Sequence, residues 1–436
     1  MRRTCLALLV LALLGSLIAP AAAQEADGRH RDFGDEEGFA AIVPPGQKGR
    51  LNAAEAAALR AGQEPAHFND QTPLYESLVY EGGMTVGADP RTRFLGVTDG
   101  DLPRFFTDGQ YGTPAPERVY SPTQGLTIIR GSAFGVPTIV GETRAAGMFG
   151  AGYIAAEDRM FLLDVLRHLG RGRISELLGP SESNMAMDRA QLRIAPYQEA
   201  ELTQQVLALC AGGPEGARVC ADLDAYTDGV NAFFAEARRD PRLLANEYVA
   251  LQIVPEDWRR EDVVAIASLV GGIFGRGGGG EVASGRFLSQ LQIRHGAEEG
   301  RRIWADFRSA EDPEAPTTAT RAFPYNDHDA IDASTTALLD LEGADDAMAQ
   351  MAMPEMILDG PLGPIDLRGV REGSSNAILA SSEVTDGGIP IAVFGPQTGY
   401  FTPQLLVEMD IHAPGISARG VAFAGTNFYV QLGRGD

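Results

Sequence analysis

The texture of the chain changes at Ser375. The small pair Gly373-Ser374 leads into Ser375-Asn376 and the apolar run Ala377-Ile378-Leu379, and three more strand-like runs follow, Ile389 to Phe394, Leu405 to Ile411 and Phe428 to Leu432. Nothing across residues 315–374 looks like a comparable strand cluster. In the third of these runs Leu405, Val407, Met409 and Ile411 face one way, and Glu408, Asp410 and His412 the other. That period of two predicts a half-buried antiparallel strand. A serine at the mouth of such a strand is ordinarily a turn residue, so Ser375 acquires meaning only from the rest of the chain.

Upstream, Leu126 to Ile129 and Val136 to Val140 read as two paired strands across a glycine-containing turn. The strongest helical signal covers Ala145 to Leu169, with apolar residues at Phe149, Ile154, Met160, Leu163, Leu166 and Leu169 and the stop Gly170-Arg171-Gly172. Glu157-Asp158-Arg159 sits within it. Such an ionic cluster ordinarily marks a solvated face; the alternative is a buried pair that fixes the helix. Further helices are predicted over about 221–237 and 260–270. The second of these runs into Gly271-Gly272-Ile273-Phe274-Gly275-Arg276 and four more glycines, a composition that breaks regular helix. A phosphate loop would need its glycines after a strand with Lys-Ser or Lys-Thr following, so a pocket wall carrying Phe274 is the better reading.

The ends and the composition bound the chemistry. Residues 1–23 combine Arg2-Arg3, an apolar run from Cys5 to Ile18 and the small-residue site Ala21-Ala22-Ala23, the pattern of a secretory signal and too short an apolar run to span a bilayer. Export leaves Cys210 and Cys220, close in sequence across a Gly- and Pro-containing gap. An oxidising compartment makes them one expected disulfide, with two free thiols as the alternative. The six histidines are scattered and none pairs with a cysteine at zinc-ligand spacing. A net charge of −23 argues against nucleic acid and anionic membrane as partners. Lys48 is the only lysine, which excludes a Schiff-base lysine, a Walker-type phosphate loop and a serine-lysine transpeptidase site anywhere beyond it. No Gly-x-Ser-x-Gly elbow for a Ser-His-Asp hydrolase is present. The closing Arg434-Gly435-Asp436 matches an adhesion tripeptide, a match short enough to arise by chance.

Several longer stretches carry a resemblance. Ser375-Asn376-Ala377, then Phe394-Gly395-Pro396-Gln397-Thr398-Gly399-Tyr400-Phe401, then Asp410-Ile411-His412-Ala413-Pro414-Gly415 resemble the start of the β chain in the penicillin acylase family, secreted amidohydrolases of the N-terminal nucleophile class. Gly135 to Ile139, Gly152 to Met160, Gly172 to Gly179 and Pro313 to Thr318 resemble its α chain, so the likeness runs over about 126–436 in the family's order.

The resemblance implies an α+β fold, the four-layer αββα sandwich of two antiparallel sheets between helical layers. It implies a precursor with a signal peptide (1–23), an N-terminal extension (24–110) that packs on the main body, an α-chain region (111–345), a linker or pro-segment (346–374) and the beginning of a β chain (375–436), the two chains remaining associated. Met348, Met351, Met353 and Met356 fall in the pro-segment. The cut falls between Ser374 and Ser375, Ser374 being the rival nucleophile and Asn376 favouring Ser375. A freed Ser375 would own a hydroxyl and an α-amine, and such an amine titrates at about 7.7–8.0, near the optimum for a general base. By resemblance Gln397 positions the new amine; Ile273, Phe274 and Thr398 fall on or near acyl-pocket positions; and Glu281 matches a ligand of a structural calcium, with no cofactor needed for the chemistry. Its partner ligands and the oxyanion hole would lie beyond Asp436, as in a truncated precursor. The expected substrate is a small-molecule amide joining a hydrophobic acyl group to an amine. Two alternatives stand beside it: an acyl-homoserine lactone or lipopeptide acylase, and a non-catalytic secreted binding protein on the same scaffold.

Overall fold

The computed structural model describes residues 46, 48–49, 51, 53–63, 116–132, 134–274, 280–307, 357–358, 362, 365–366, 375–396, 398 and 403–435. The chain divides into two compact units, residues 1–274 with 354–436, and residues 275–353. Helix and sheet are mixed in the first unit, so the fold class is α+β. The signal-like segment 1–23, the methionine cluster and the presumed cut at Ser374 lie outside the described residues.

In chain order the first unit comprises helix α1 (Ala53–Arg60), strands β1 (Pro116–Tyr120), β2 (Leu126–Gly131) and β3 (Pro137–Gly141), and helices α2 (Arg144–Gly170), α3 (Ile174–Leu178), α4 (Glu182–Ile194), α5 (Glu199–Cys210), α6 (Gly213–Arg239), α7 (Asn246–Leu251) and α8 (Arg260–Phe274). After the second unit come β4 (Ile357–Leu358), β5 (Ile365–Asp366), β6 (Ser375–Ala380), β7 (Ile391–Pro396), β8 (Leu406–Ala413), β9 (Ile416–Phe423) and β10 (Leu432–Gly435). The main sheet runs β1-β2-β3-β8-β9-β10; β4-β5 and β6-β7 form separate two-stranded pairs. Every neighbour in the main sheet is antiparallel except β3 and β8, which pair in parallel from Thr138↔Asp410 to Val140↔His412.

Helix α2 is the axis of this unit. Thr143 caps it, its side-chain oxygen accepting from the amide of Ala146 at 3.1 Å, which satisfies one orphan donor of the first turn. Beyond that the helix is buried on nearly every side, and its small residues explain how. A Cβ on Gly150 would come within 2.5 Å of Ile139 in the sheet, and one on Gly152 within 1.9 Å of the Tyr226 carbonyl in α6. Glycine on opposite faces lets α2 lie close to β3 on one side and α6 on the other. Tyr153 fills the space that remains, edge-on to Phe233 of α6 with ring centroids 5.4 Å apart.

Four differences from the sequence-based expectation are physical findings. Glu157, Asp158 and Arg159 are all buried, not a solvated face, because a helix enclosed on all sides has no solvated face to offer. Strand β8 is antiparallel to β9 along its whole length but parallel to β3 on its other edge, over Asp410 to His412, and Asp410 is buried along with Met409 and Ile411. Helix α8 continues through Gly271 and Gly272 to Phe274, so those two glycines do not break it. The expected strand 428–432 is a turn, with β10 beginning only at Leu432. The turn is tied to α6 by side chains: the Tyr226 hydroxyl donates to Asn427 at 2.7 Å, and the Tyr429 hydroxyl donates to Asp222.

Cys210 and Cys220 are joined, linking the end of α5 to α6. Lys48 and Leu51 tie the described part of the N-terminal segment to the main body, and the Lys48 ammonium donates to the Arg242 carbonyl at 3.4 Å. The Phe161 amide donates to the Lys48 carbonyl at 2.8 Å, the Leu51 amide to Glu247 at 2.9 Å, and the Asn246 side chain to the Leu51 carbonyl at 2.8 Å.

The second unit contains helices α9 (Gly280–His295) and α10 (Ala297–Phe307) as a tight antiparallel hairpin. Gly296 turns the chain with φ of 86°, a left-handed value that glycine adopts without steric penalty. Trp304 donates from its indole nitrogen to Ser284 at 3.0 Å, and Phe287 meets Phe307 edge-on.

Candidate active site

The β6–β7 hairpin determines where Ser375 stands. Both strands are β-branched and apolar in their middles, and the connection between them closes with Gly388 at φ 63° and the Thr385 hydroxyl donating to the Ile389 carbonyl at 2.7 Å. The register is unbroken from Ala380↔Ile391 to Ser375↔Pro396. Ser375 therefore opens β6 opposite the residue that immediately precedes Gln397. Gln397 itself lies outside the described residues, as does the side chain of Ser375. Thr398, two positions past Pro396, is half-buried. The hairpin brings the backbone of Ser375 to the start of the Gln397-Thr398 segment, although the two are separated by the whole ribbon in sequence.

Among the described residues, the middle of this ribbon is exposed on both faces. Ile378 and Leu379, which point to opposite faces, are 72% and 71% exposed. On β7, Ile391 and Val393 are exposed as well.

The other expected site residues fall elsewhere. Ile273 and Phe274 are the last two residues of α8, and their side chains lie outside the described residues. The described geometry places them on an element separate from the β6–β7 hairpin. Glu281 is in the first turn of α9, in the second unit, and its side chain also lies outside the described residues. Among the described residues no group of three or more His, Cys, Asp or Glu gathers as a metal site.

What the sequence left open is the charged layer between strands β1–β2 and helix α2. Arg130 of β2 grips Asp158 with both terminal nitrogens at 2.8 Å and also reaches Glu157, which the Tyr120 hydroxyl bonds too. Burial would pull the Arg130 guanidinium down, but Asp158 and Glu157 outweigh it and hold the charge firmly on. Burial raises the Tyr120 phenol well above its ordinary value, so it donates to Glu157 as a neutral hydroxyl.

Arg159 is different. It is fully buried, and it interrupts α2 with φ −141° and ψ 29°. Its guanidinium donates to three backbone carbonyls: Gln404 at 2.6 Å, Asp158 at 2.8 Å and Leu406 at 3.0 Å. Burial lowers its pKa to about 10, against a smaller raising effect of Asp158, so it stays charged at neutral pH. The one signal in the sequence was an ionic triplet inside an otherwise apolar helix.

His412 and its neighbours make a further polar cluster on the β8–β9 hairpin. Its Nδ1 lies 3.0 Å from the Ser417 hydroxyl and its Nε2 lies 2.8 Å from an Asp410 oxygen. The second contact is within ion-pair distance, and among the described residues neither Asp410 oxygen has a well-directed hydrogen-bond donor.

Comparison with known proteins adds the following. The family model described as Penicillin amidase matches residues 126–436. Penicillin G acylase of Escherichia coli is 24% identical over 319 residues, covering 68% of this chain and 36% of that protein. Acyl-homoserine lactone acylase QuiP of Pseudomonas aeruginosa is 29% identical over 159 residues, covering 36% of this chain and 17% of that protein. The chain thus spans about a third or less of the length of these relatives. A solved structure, Thermostable Penicillin G acylase from Alcaligenes faecalis, is 27% identical and covers 46% of this chain and all of its own, with a TM-score of 0.38, too distant a superposition to bear on the fold.

Proposed function

Because this chain belongs to the penicillin amidase family, we propose that it carries the nucleophile of an exported amidohydrolase that removes a hydrophobic acyl group from an amine. The observation that supports this most directly is the place of Ser375: first residue of β6, directly after Gly373-Ser374, with Pro396 and so the Gln397 segment across from it.

The chemistry follows from that place. In the precursor the Ser375 hydroxyl attacks the carbonyl carbon of Ser374. The C–N bond breaks, an ester to the Ser375 oxygen forms, and the nitrogen becomes a free α-amine. Water then hydrolyses the ester and leaves Ser374 as a new carboxylate. The released amine accepts the proton of its own hydroxyl, directly or through a water, while that oxygen attacks the substrate amide. The amine of the substrate departs with the proton, and water cleaves the acyl-enzyme ester. One residue supplies nucleophile and base, which matches the Thr–N-terminal-amine form of nucleophilic catalysis. Gln397 orients the amine; Ile273, Phe274 and Thr398 line the acyl pocket. We assign Glu281 to a structural calcium, but calcium takes about six to eight oxygens and the described residues supply no such set, so no step is routed through a metal. Export rests on the signal-like segment 1–23. An acyl-homoserine lactone as substrate is the second reading, favoured by the likeness to the Pseudomonas aeruginosa protein.

The test is processing and turnover of the full-length protein. Two chains on a denaturing gel, the second beginning Ser-Asn-Ala-Ile, and turnover of a chromogenic acyl-anilide are expected. Ser375→Ala should leave one uncut, inactive chain. A second chain beginning Ser-Ser-Asn transfers the role to Ser374, and a wild-type protein that stays uncut and inactive returns the scaffold to binding.

A further inference from the structure

We infer that the Cys210–Cys220 disulfide is a site of thiol exchange, with Cys210 the sulfur that a small thiol attacks and Cys220 the leaving thiolate, held by Arg260. This stands apart from the acylase reading, no step of which uses either cysteine.

Three helices meet at the bond. Cys210 is the last residue of α5, Cys220 lies within α6, and Arg260 opens α8. The guanidinium of Arg260 faces two partners. Its Nη2 donates to Asp224 at 2.6 Å and its Nε bonds the same carboxylate, while Nη1 is turned to the sulfurs, 3.4 Å from Cys220 and 3.8 Å from Cys210. A disulfide sulfur is neutral and a weak acceptor, so this contact contributes little while the bond is intact. A thiolate in the same place carries a full negative charge and takes the donor strongly. Arg260 therefore favours the reduced state over the oxidised one, and that difference makes a disulfide reducible.

The two sulfurs are not equivalent. Cys210 is half-buried and Cys220 is buried, so an incoming thiol meets Cys210 first. A thiolate on Cys210 would also sit in the last turn of α5, against the negative end of the helix dipole. Cys220 lies beyond the first turn of α6 and nearer the Arg260 donor. Burial alone would make Cys220 a poor leaving group; the guanidinium reverses that. The thiolate of a small thiol attacks the Cys210 sulfur, the S–S bond breaks, and its electron pair goes to the Cys220 sulfur. A mixed disulfide is left on Cys210. A second thiolate attacks the reductant's sulfur in it and releases Cys210, and the reductant departs as its own disulfide, having supplied two electrons. The Arg260 and Asp224 side chains are 37% and 45% exposed, open enough for a small thiol to approach and solvated enough to keep the effect moderate. Reduction unties α5 from α6 but leaves α5 held to α8 by the Thr203 hydroxyl, which donates to Glu261 at 2.9 Å.

The experiment equilibrates the oxidised full-length protein with graded ratios of reduced to oxidised glutathione at neutral pH. Free thiols are then blocked with N-ethylmaleimide, and residues 210 and 220 are mapped by mass spectrometry, so that cysteines elsewhere do not enter. A bond that serves only as a staple resists glutathione. Wild type should instead open, with the glutathione adduct on Cys210 and the maleimide on Cys220 at intermediate ratios, and with a lower thermal midpoint once reduced. Arg260→Gln should make reduction less favourable by about 3- to 10-fold, the scale of one charge-assisted contact at a partly exposed pair. Arg260→Lys, which keeps the charge, should fall between the two. Arg259→Gln, whose guanidinium bonds Glu199 instead, should match wild type. A bond that glutathione does not open, an adduct on Cys220, or an Arg260→Gln equilibrium equal to wild type would each overturn the inference. Where Arg260→Gln does not fold, Arg260→Lys and the position of the wild-type adduct decide it.

Discussion

Both carboxylate oxygens of Asp158 lie 2.8 Å from the terminal nitrogens of Arg130, with the two side chains 1% and 0% exposed. The pair ties strand β2 to the middle of helix α2. Breaking such a pair from one side leaves an uncompensated charge in the core, which costs about 3–5 kcal/mol, whereas replacing both partners by apolar groups of similar volume is often neutral or better. Arg130→Met and Asp158→Leu should therefore each lower the denaturant midpoint sharply, and the double variant should lose less than the sum of the two, although not recover fully, because buried Glu157 also loses Arg130 as a partner. Additive losses in the double variant would mean that the two groups do not depend on each other.

Glu199 gives a pH-dependent expectation. It accepts from Arg171 at 2.7 Å and from Arg259 at 2.8 Å. Burial would raise its pKa, but the bonds from those two arginines outweigh it and the net shift is downward. A carboxyl with a lowered folded pKa contributes stability above its unfolded pKa, about 4.3 for Glu, and loses it as pH falls through the lowered value. Because the side chain is 43% exposed, solvent screening holds the contribution to about 0.2–1 kcal/mol. Glu199→Gln should lower the thermal midpoint slightly at neutral pH, and the difference should close as the pH falls below both values. A gap that stays constant across the titration would assign the effect to shape, not charge.

The parts of this fold that were legible in the sequence are those written as long apolar runs between clear stops. The β2–β3 pair, helix α2 and the β6–β7 ribbon announce themselves because their apolar runs have the length of their element and are bounded by glycine-containing turns. Strand β9 does not: Ser417, Ala418, Arg419 and Gly420 are all half-buried, and a strand without a clear inside and outside leaves no alternation to read. The burial of Glu157-Asp158-Arg159 was illegible for another reason. Their partners, Arg130 and the carbonyls of Gln404 and Leu406, are distant in sequence, and a charge next to an apolar run looks the same whether it meets water or a partner. The place of Ser375 was legible as a motif, while its juxtaposition with the residue before Gln397 comes only from the hairpin register.

Phe274 closes helix α8, and the proposed function puts it in the acyl pocket. Truncation to Ala should weaken transition-state binding of aromatic and long-chain acyl groups by about 1–3 kcal/mol, the scale of lost apolar pocket contact. Short acyl groups, which would not reach it, should be affected less. The ratio of kcat/KM between a phenylacetyl and an acetyl anilide measures this directly. An unchanged ratio would place Phe274 in the core and the pocket elsewhere.

The closest approach of α2 and α6 is made by glycines on both helices. A Cβ on Gly152 would sit 1.9 Å from the Tyr226 carbonyl oxygen and 3.1 Å from the Val230 amide nitrogen, and one on Gly229 would sit 2.0 Å from the Phe149 carbonyl oxygen. These obstacles are backbone, so they cannot rotate away as a side chain could. Alanine is the better helix former by about 0.8–1 kcal/mol, but separating two packed helices to admit a methyl group costs typically 1–3 kcal/mol and at times more, and the steric term wins. Gly152→Ala is therefore expected to destabilise the protein despite its propensity advantage. Gly271→Ala, in helix α8 with nothing among the described residues within 4 Å of the added carbon, is expected to do the opposite and gain up to about 1 kcal/mol. Denaturant unfolding of the two variants beside wild type checks both signs. If Gly152→Ala proved as stable as Gly271→Ala, the two helices would not be in the backbone contact described here.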